Sequence, residues 1–228
     1  MTTQQTRIIH KDSIPSGGFA GIVETRMVMH PSFWPDTKHR SDISHGLDDF
    51  IYLASGYFKG NEGIPMHPHK DVDIVSFIPN GAVGHEGTMG HGTSIIGPGV
   101  QVQRAGTGMK HSEFNLKSEK SDLVQMWFAP PKTALKPEYQ EFSLNKNGMT
   151  SVLGGANPRN FDSNMHCQIG FLEAGKTLNA TGPFVAFLQD GEATVNGQPA
   201  RSGDIIEGHD FNFTAKTAST LVFIQTNK

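Results

Sequence analysis

One cysteine, Cys167, stands in a chain of 228 residues, so no disulfide can form within it. That absence fits a reducing compartment, and a cytoplasmic protein is expected. Cys167 itself is expected as a small core residue, because nothing near it in sequence suggests an activating partner. Basic residues are also scarce: 19 Lys and Arg stand against 22 Asp and Glu, a formal charge of −3, with no basic run. A dedicated nucleic-acid surface is thereby excluded. No apolar stretch is long enough to span a bilayer. Met1 to Lys11, polar apart from Ile8 and Ile9, does not read as a secretory signal. A sustained apolar stripe of period 3.6 is missing too, which argues against a helical core.

What the chain does contain is 26 glycines and 13 prolines spread between short apolar runs, the pattern of an all-β protein. Strands are expected at Phe50–Phe58, Val72–Ile78, Ser94–Ile96, Val100–Gln103, Leu123–Phe128, Phe184–Gln189, Ala193–Val195, Ile205–Ile206 and Leu221–Gln225. Asn80-Gly81, Asp190-Gly191 and Asn196-Gly197 are hairpin signals, since these residues accept the positive φ of tight turns. Pro68 and Pro79 lack an N–H, so each should sit on an edge strand or at a strand end. The proline-rich stretch from Pro130-Pro131 to Pro137 reads as a linker, giving a first domain at 1–130 and a second at 131–228. The two halves rhyme. Ser76-Phe77-Ile78-Pro79-Asn80-Gly81 is similar to Ala186-Phe187-Leu188-Gln189-Asp190-Gly191, and a glycine turn follows each at a similar distance. Two tandem copies of one β-barrel or jelly-roll explain this.

The chemistry-bearing residues lie in the first half. His67-Pro68-His69 and His111-Ser112-Glu113 each place two metal-binding side chains at i and i+2. On a strand that spacing puts both on one face, so two neighbouring strands could converge on one ion. Three imidazoles and a carboxylate, His67, His69, His111 and Glu113, suit a divalent transition metal and leave about two octahedral positions open. An open shell points to chemistry more than to stapling. An H-x-H alone is a weak signal; the pattern Gly106-x-Gly108-x-x-His111-x-Glu113-x-Asn115 strengthens it with a glycine turn feeding a strand. Thr177 and Asn179 fall where the second half would need His67 and His69, and no His-x-Glu follows Gly203, so that half should lack a metal site. Gly84-His85-Glu86-Gly87 reads as a strand end on the solvent side, and no ligand role is expected for His85, Glu86 or His91. The scattered His10, His30, His39, His45, His166 and His209 receive the same reading. Trp34, Trp127 and Phe128 are expected in the core, although an aromatic beside the metal could stack on a flat substrate.

Met66-His67-Pro68-His69-Lys70 with Ala105-Gly106-Thr107-Gly108-Met109-Lys110-His111-Ser112-Glu113 resembles the pirin family of bicupins, especially its bacterial quercetinase-like members. The close likeness runs from Gly63 to Asn115. It implies two tandem cupin domains, the first binding one ion, most often Fe(II) with Mn, Ni, Cu, Co or Zn as alternatives, through His67, His69, His111 and Glu113. The acidic position of the general cupin motif is Asp73 here, expected to support the site or sit at its rim without binding metal. Between Glu24 and Gly46 the chain departs from the aromatic-rich sequence typical of pirins. The resemblance implies a dioxygenase that cleaves a flavonol or related hydroxylated aromatic with O₂, Glu113 being a ligand or a general base. The alternative is a metal-bearing regulatory protein that binds a protein partner; a third is a cupin isomerase that needs no O₂.

Overall fold

Glycine, proline and asparagine punctuate the chain so often that few segments have room for more than a strand. The computed structural model describes residues 6–89 and 92–227. His91 lies outside them. The first strands are β1 (Arg7–His10), β2 (Gly17–Phe19), β3 (Ile22–Met29), β4 (Phe50–Phe58), β5 (Gly63–His69), β6 (Asp73–Ile78) and β7 (Ala82–Gly87). There follow β8 (Thr93–Ile96), β9 (Gly99–Arg104), β10 (Met109–Asn115), β11 (Ser121–Phe128), β12 (Glu138–Ser143) and β13 (Gly148–Leu153). The last are β14 (Met165–Leu172), β15 (Thr177–Asp190), β16 (Glu192–Val195), β17 (Gln198–Arg201), β18 (Asp204–Ala215) and β19 (Ser219–Thr226). Short 3₁₀ turns at Lys11–Ser13 and Pro35–His39 are the helical elements among the described residues. No helix there is long and apolar enough to cross a membrane.

The chain divides into two units. One comprises Pro15–Met29 and Asp49–Ser143; the other comprises Met1–Ile14, His30–Asp48 and Leu144–Lys228. They are therefore not the continuous stretches 1–130 and 131–228. The reason is edge covering: β12, beyond the proline-rich segment, pairs with β9 from Glu138↔Arg104 to Ser143↔Gly99, while β1 pairs with β18. Each added strand caps a row of backbone groups that would otherwise be left open.

In the first unit a seven-stranded sheet, β12-β9-β6-β11-β4-β3-β2, is joined by a four-stranded sheet, β5-β10-β7-β8. Ile22, Phe58, Ile78 and Leu123 of the larger sheet pack with Ile64, Val83 and Ile95 of the smaller to form one core cluster. This is a jelly-roll of two sheets, not one closed barrel. In the second unit the order β13-β14-β19-β15-β18 repeats β3-β4-β11-β6-β9, so the strand order carries the same repeat as the sequence. The turn glycines repeat as well. Gly81 and Gly191 both have φ +99, and a Cβ on either would lie 2.2 and 2.4 Å from the Oγ of Ser121 and Ser219 respectively.

Of the three expected hairpin turns, Asn196-Gly197 closes one, with Val195 paired to Gln198 across it. Asn80-Gly81 and Asp190-Gly191 instead join strands that do not pair with each other: β6 pairs with β9 and β11, and β7 with β10 and β8. Local φ tolerance makes the turn, but the partner is chosen by the buried face. Pro68 lies on β5, an edge strand, and β6 ends just before Pro79.

Candidate metal centre

β5 and β10 run antiparallel as neighbours, His111 opposite His67 and Met109 opposite His69. The turn into β10 needs glycine: Gly106 has φ +48, and a Cβ there would lie 2.1 Å from the Leu135 carbonyl oxygen. The prolines at 65 and 68 cost β5 no pairing on its open side.

Alternation then delivers three imidazoles to one place. Ring centroids lie 4.8 Å apart for His67 and His69, 4.4 Å for His67 and His111, and 4.9 Å for His69 and His111. One ligand atom from each lies within 4.8 Å of the others. Two ligands on opposite sides of one ion span about 4.2 Å, so small ring rotations suffice to close on a metal. Among the described residues this is the one group of His, Cys, Asp or Glu found to gather in this way.

The donor set fits a transition metal on the chain's own evidence of unmet valence. His111 is 1% exposed, and neither of its ring nitrogens has a hydrogen-bond partner. His67 Nδ1 lies 2.8 Å from the Pro65 carbonyl oxygen, which fixes the proton there and leaves the Nε2 lone pair able to bind a metal. Burial first, and then the neighbouring imidazoles, push His111 down to about 2; burial and then His67 push His69 down to about 4. Both rings are neutral at pH 7, the form that binds metal.

Glu113 lies two residues beyond His111, buried, opposite His85 of β7. The pairing of β10 with β5 slips by a residue between His111 and Glu113, and the carboxylate stands outside the cluster of three imidazoles. Its Oε1 accepts a hydrogen bond of 2.7 Å from Gln101 Nε2, while Oε2 is buried with no partner. Burial raises Glu113 to about 7, against the lowering effect of Gln101 and Gln125.

The surroundings explain several other residues. Asp73, fully buried, is held by Arg104 through bonds of 2.9 and 2.6 Å and braces the sheet. Asn115 donates to the carbonyls of Phe58, Lys59 and Glu119, so it pins the loop after β10. Trp127 is half-buried and presents an edge-on contact to His69 at 5.5 Å. His85 corrects the sequence expectation. It is 1% exposed, stacked on Tyr139 at 5.4 Å and 25°, with its ring 5.3 Å from His111. The glycines and Glu86 around it suggested solvent, yet strand alternation from buried Val83 places His85 on the inner face. Tyr139 was missed because it follows the proline-rich segment. His166, by contrast, pairs with Ser151 in the other unit, and His10 with Asp204.

Residues 22–128 match the family model for pirin. The chain carries a pirin domain. A quercetin 2,3-dioxygenase of Escherichia coli is 34% identical over 116 residues, 47% of this chain and 50% of that protein. The aligned part is thus about half of that relative's length. In structure, the nickel(II) complex of the bacterial pirin YhhW from Escherichia coli superposes with a TM-score of 0.85 at 18% identity, covering 98% of this chain and 99% of that one. A quercetin 2,3-dioxygenase from Acinetobacter baumannii gives a TM-score of 0.75 at 17% identity, over 99% and 88%. The pirin likeness at the level of fold therefore extends over both units.

Proposed function

We propose that this pirin-type protein holds one divalent transition metal, iron(II) foremost, through His67, His69, His111 and Glu113, and oxidises a hydroxylated aromatic such as a flavonol with O₂. The observation that carries the reading is the convergence of three imidazoles, with His111 buried and unsatisfied, beside a carboxylate whose Oε2 is equally unsatisfied. When bound, the ion supplies a Lewis-acidic, redox-active centre for a deprotonated hydroxyl and O₂.

The chain's own residues shape the rest. A cavity of about 530 Å³ opens at His69, lined also by Pro68, Lys70, Thr88, Gly108, Met109 and Lys110. Its walls are largely apolar and its two charges are both positive, which suits a flat aromatic bearing an anionic oxygen. Glu113, when loosened from the ion, is the group proposed to take the substrate's hydroxyl proton through its otherwise unpartnered Oε2. Buried Gln101 lends that carboxylate a hydrogen bond without competing for the proton.

The test is O₂ uptake by anaerobically iron-loaded protein on a panel of flavonols and catechols. Substrate-dependent uptake is expected, with Glu113→Gln slower per bound ion by about 10²-fold or more. Lys70→Glu and Lys110→Glu should raise KM for anionic substrates with little change in kcat. If protein loaded with iron, manganese, nickel or copper consumes no O₂ with any of them, the enzymatic reading fails and partner binding takes its place.

A further inference from the structure

Glu113 stands outside the imidazole cluster, and its carboxylate is held by a hydrogen-bonded chain that runs from Gln101 on β9 to Tyr139 on β12. Gln101 on β9 is 1% exposed, and its Nε2 donates to Glu113 Oε1 at 2.7 Å. That bond occupies one carboxylate oxygen and leaves Oε2 as the oxygen free to bind. An amide can turn over, exchanging its donor and acceptor ends. Here the acceptor end, Gln101 Oε1, lies 3.2 Å from the Tyr139 hydroxyl. Turning the amide over would set its oxygen against the carboxylate oxygen of Glu113, two acceptors facing each other in a buried site.

Tyr139 comes from β12, the strand that pairs with β9 after the proline-rich segment. Its ring is fixed by stacking on His85, and Thr93 Oγ1 lies 3.1 Å from its hydroxyl. The phenol has one proton and a second acceptor, Glu141 Oε1, at 2.7 Å. Glu141 is exposed, so water competes for it, whereas Gln101 is sealed from solvent.

We propose that Gln101 and Tyr139 are positioning residues that act in series to make Glu113 a one-oxygen ligand presented through Oε2. The inference rests on the metal-site reading of His67, His69, His111 and Glu113 and adds to it the groups that orient the carboxylate. Without the Gln101 donor the carboxylate would lose the hydrogen bond that fixes Oε1 and leaves Oε2 unpartnered, and would offer a metal a less preorganised oxygen ligand. Orienting groups of this kind commonly govern metal affinity over about 10–100-fold.

The experiment uses the full-length protein with cobalt(II) as probe, reading affinity by competition with a chelator and geometry by visible absorption. Gln101→Leu should weaken cobalt binding about 10–100-fold and shift the d–d bands. Tyr139→Phe, which keeps the ring on His85, should shift the same bands in the same direction with a smaller loss. Because Tyr139 acts through Gln101, the double variant should be no worse than Gln101→Leu alone. Should Gln101→Leu fail to fold, as circular dichroism would reveal, Tyr139→Phe carries the test by its spectrum. Folded variants with the wild-type affinity and spectrum would overturn the proposal, as would losses that simply add. Wild-type protein that takes up no cobalt would instead overturn the metal site itself.

Discussion

Asp73 and Arg104 show what a single charged residue does in this fold. Their side chains are 0% and 6% exposed, and the guanidinium meets both carboxylate oxygens. Arg104→Met would strand a buried carboxylate and should cost about 3–5 kcal/mol in urea unfolding. Lys59→Met, which breaks a half-exposed pair with Glu62, should cost less than about 1 kcal/mol. Equal costs would contradict the burial argument. Glu113 makes a pH-dependent contribution of opposite kind. Its carboxyl is raised from 4.5 to about 7, so the folded state of the metal-free protein holds that proton more tightly than the unfolded state does. The stabilisation is fully present below about 4.5 and is lost as pH rises through about 7. Glu113→Gln lacks the proton, so metal-free wild type should lose on the order of 2 kcal/mol relative to the variant between pH 4.5 and pH 7.5. The lowered His69 and His111 favour stability as pH rises, but they are common to both proteins and cancel in the difference. A flat difference across that range would refute the buried, proton-holding carboxyl.

At the scale of elements, legibility followed how local each signal is. Paired i, i+2 ligands and the glycine turn before His111 are properties of a few adjacent residues, and the structure does set His67, His69 and His111 on adjoining strands. β3 and β14 were not expected, because Ile22–Met29 and Met165–Leu172 carry no flanking hairpin signal and mix buried and half-buried positions. The pairing partners of β7, β12 and β1 are long-range choices made by buried faces and open edges, which no window of sequence displays. Tyr139 was lost for that reason, since only the pairing of β12 with β9 brings it near Gln101; His85 was lost because the glycines and Glu86 around it outweighed the alternation of β7. The turns after β6 and β15 read correctly as turns and wrongly as hairpins. Their glycines give a sharp prediction. Gly81→Ala combines φ +99 with a Cβ 2.2 Å from Ser121 Oγ and should destabilise by about 2–4 kcal/mol. Gly17→Ala, with nothing within 4 Å, should fall within about 0.5 kcal/mol of wild type. Thermal or urea melts of the two variants decide it.

Across the whole molecule, one strand order is used twice with different interiors. Where the first unit pairs His67 with His111, the second pairs Thr177 with Thr214, and Asn179 faces Asn212. Its centre is filled by Phe184, Phe211, Phe213 and Phe223, with Phe211 at 4.7 Å from Phe184 and 4.6 Å from Phe223. The repeat was visible in sequence because turn residues must recur where the turns recur; the closing strands were not, since β1 and β12 lie outside the repeated segment.

The measurement that bears most directly on this account is bound metal per chain after anaerobic loading with iron(II) and desalting, for wild type and His111→Ala in parallel. About one equivalent is expected for wild type and close to none for the folded variant, since His111 is the one fully buried imidazole of the three. Two equivalents in wild type, or a full equivalent retained without His111, would contradict it.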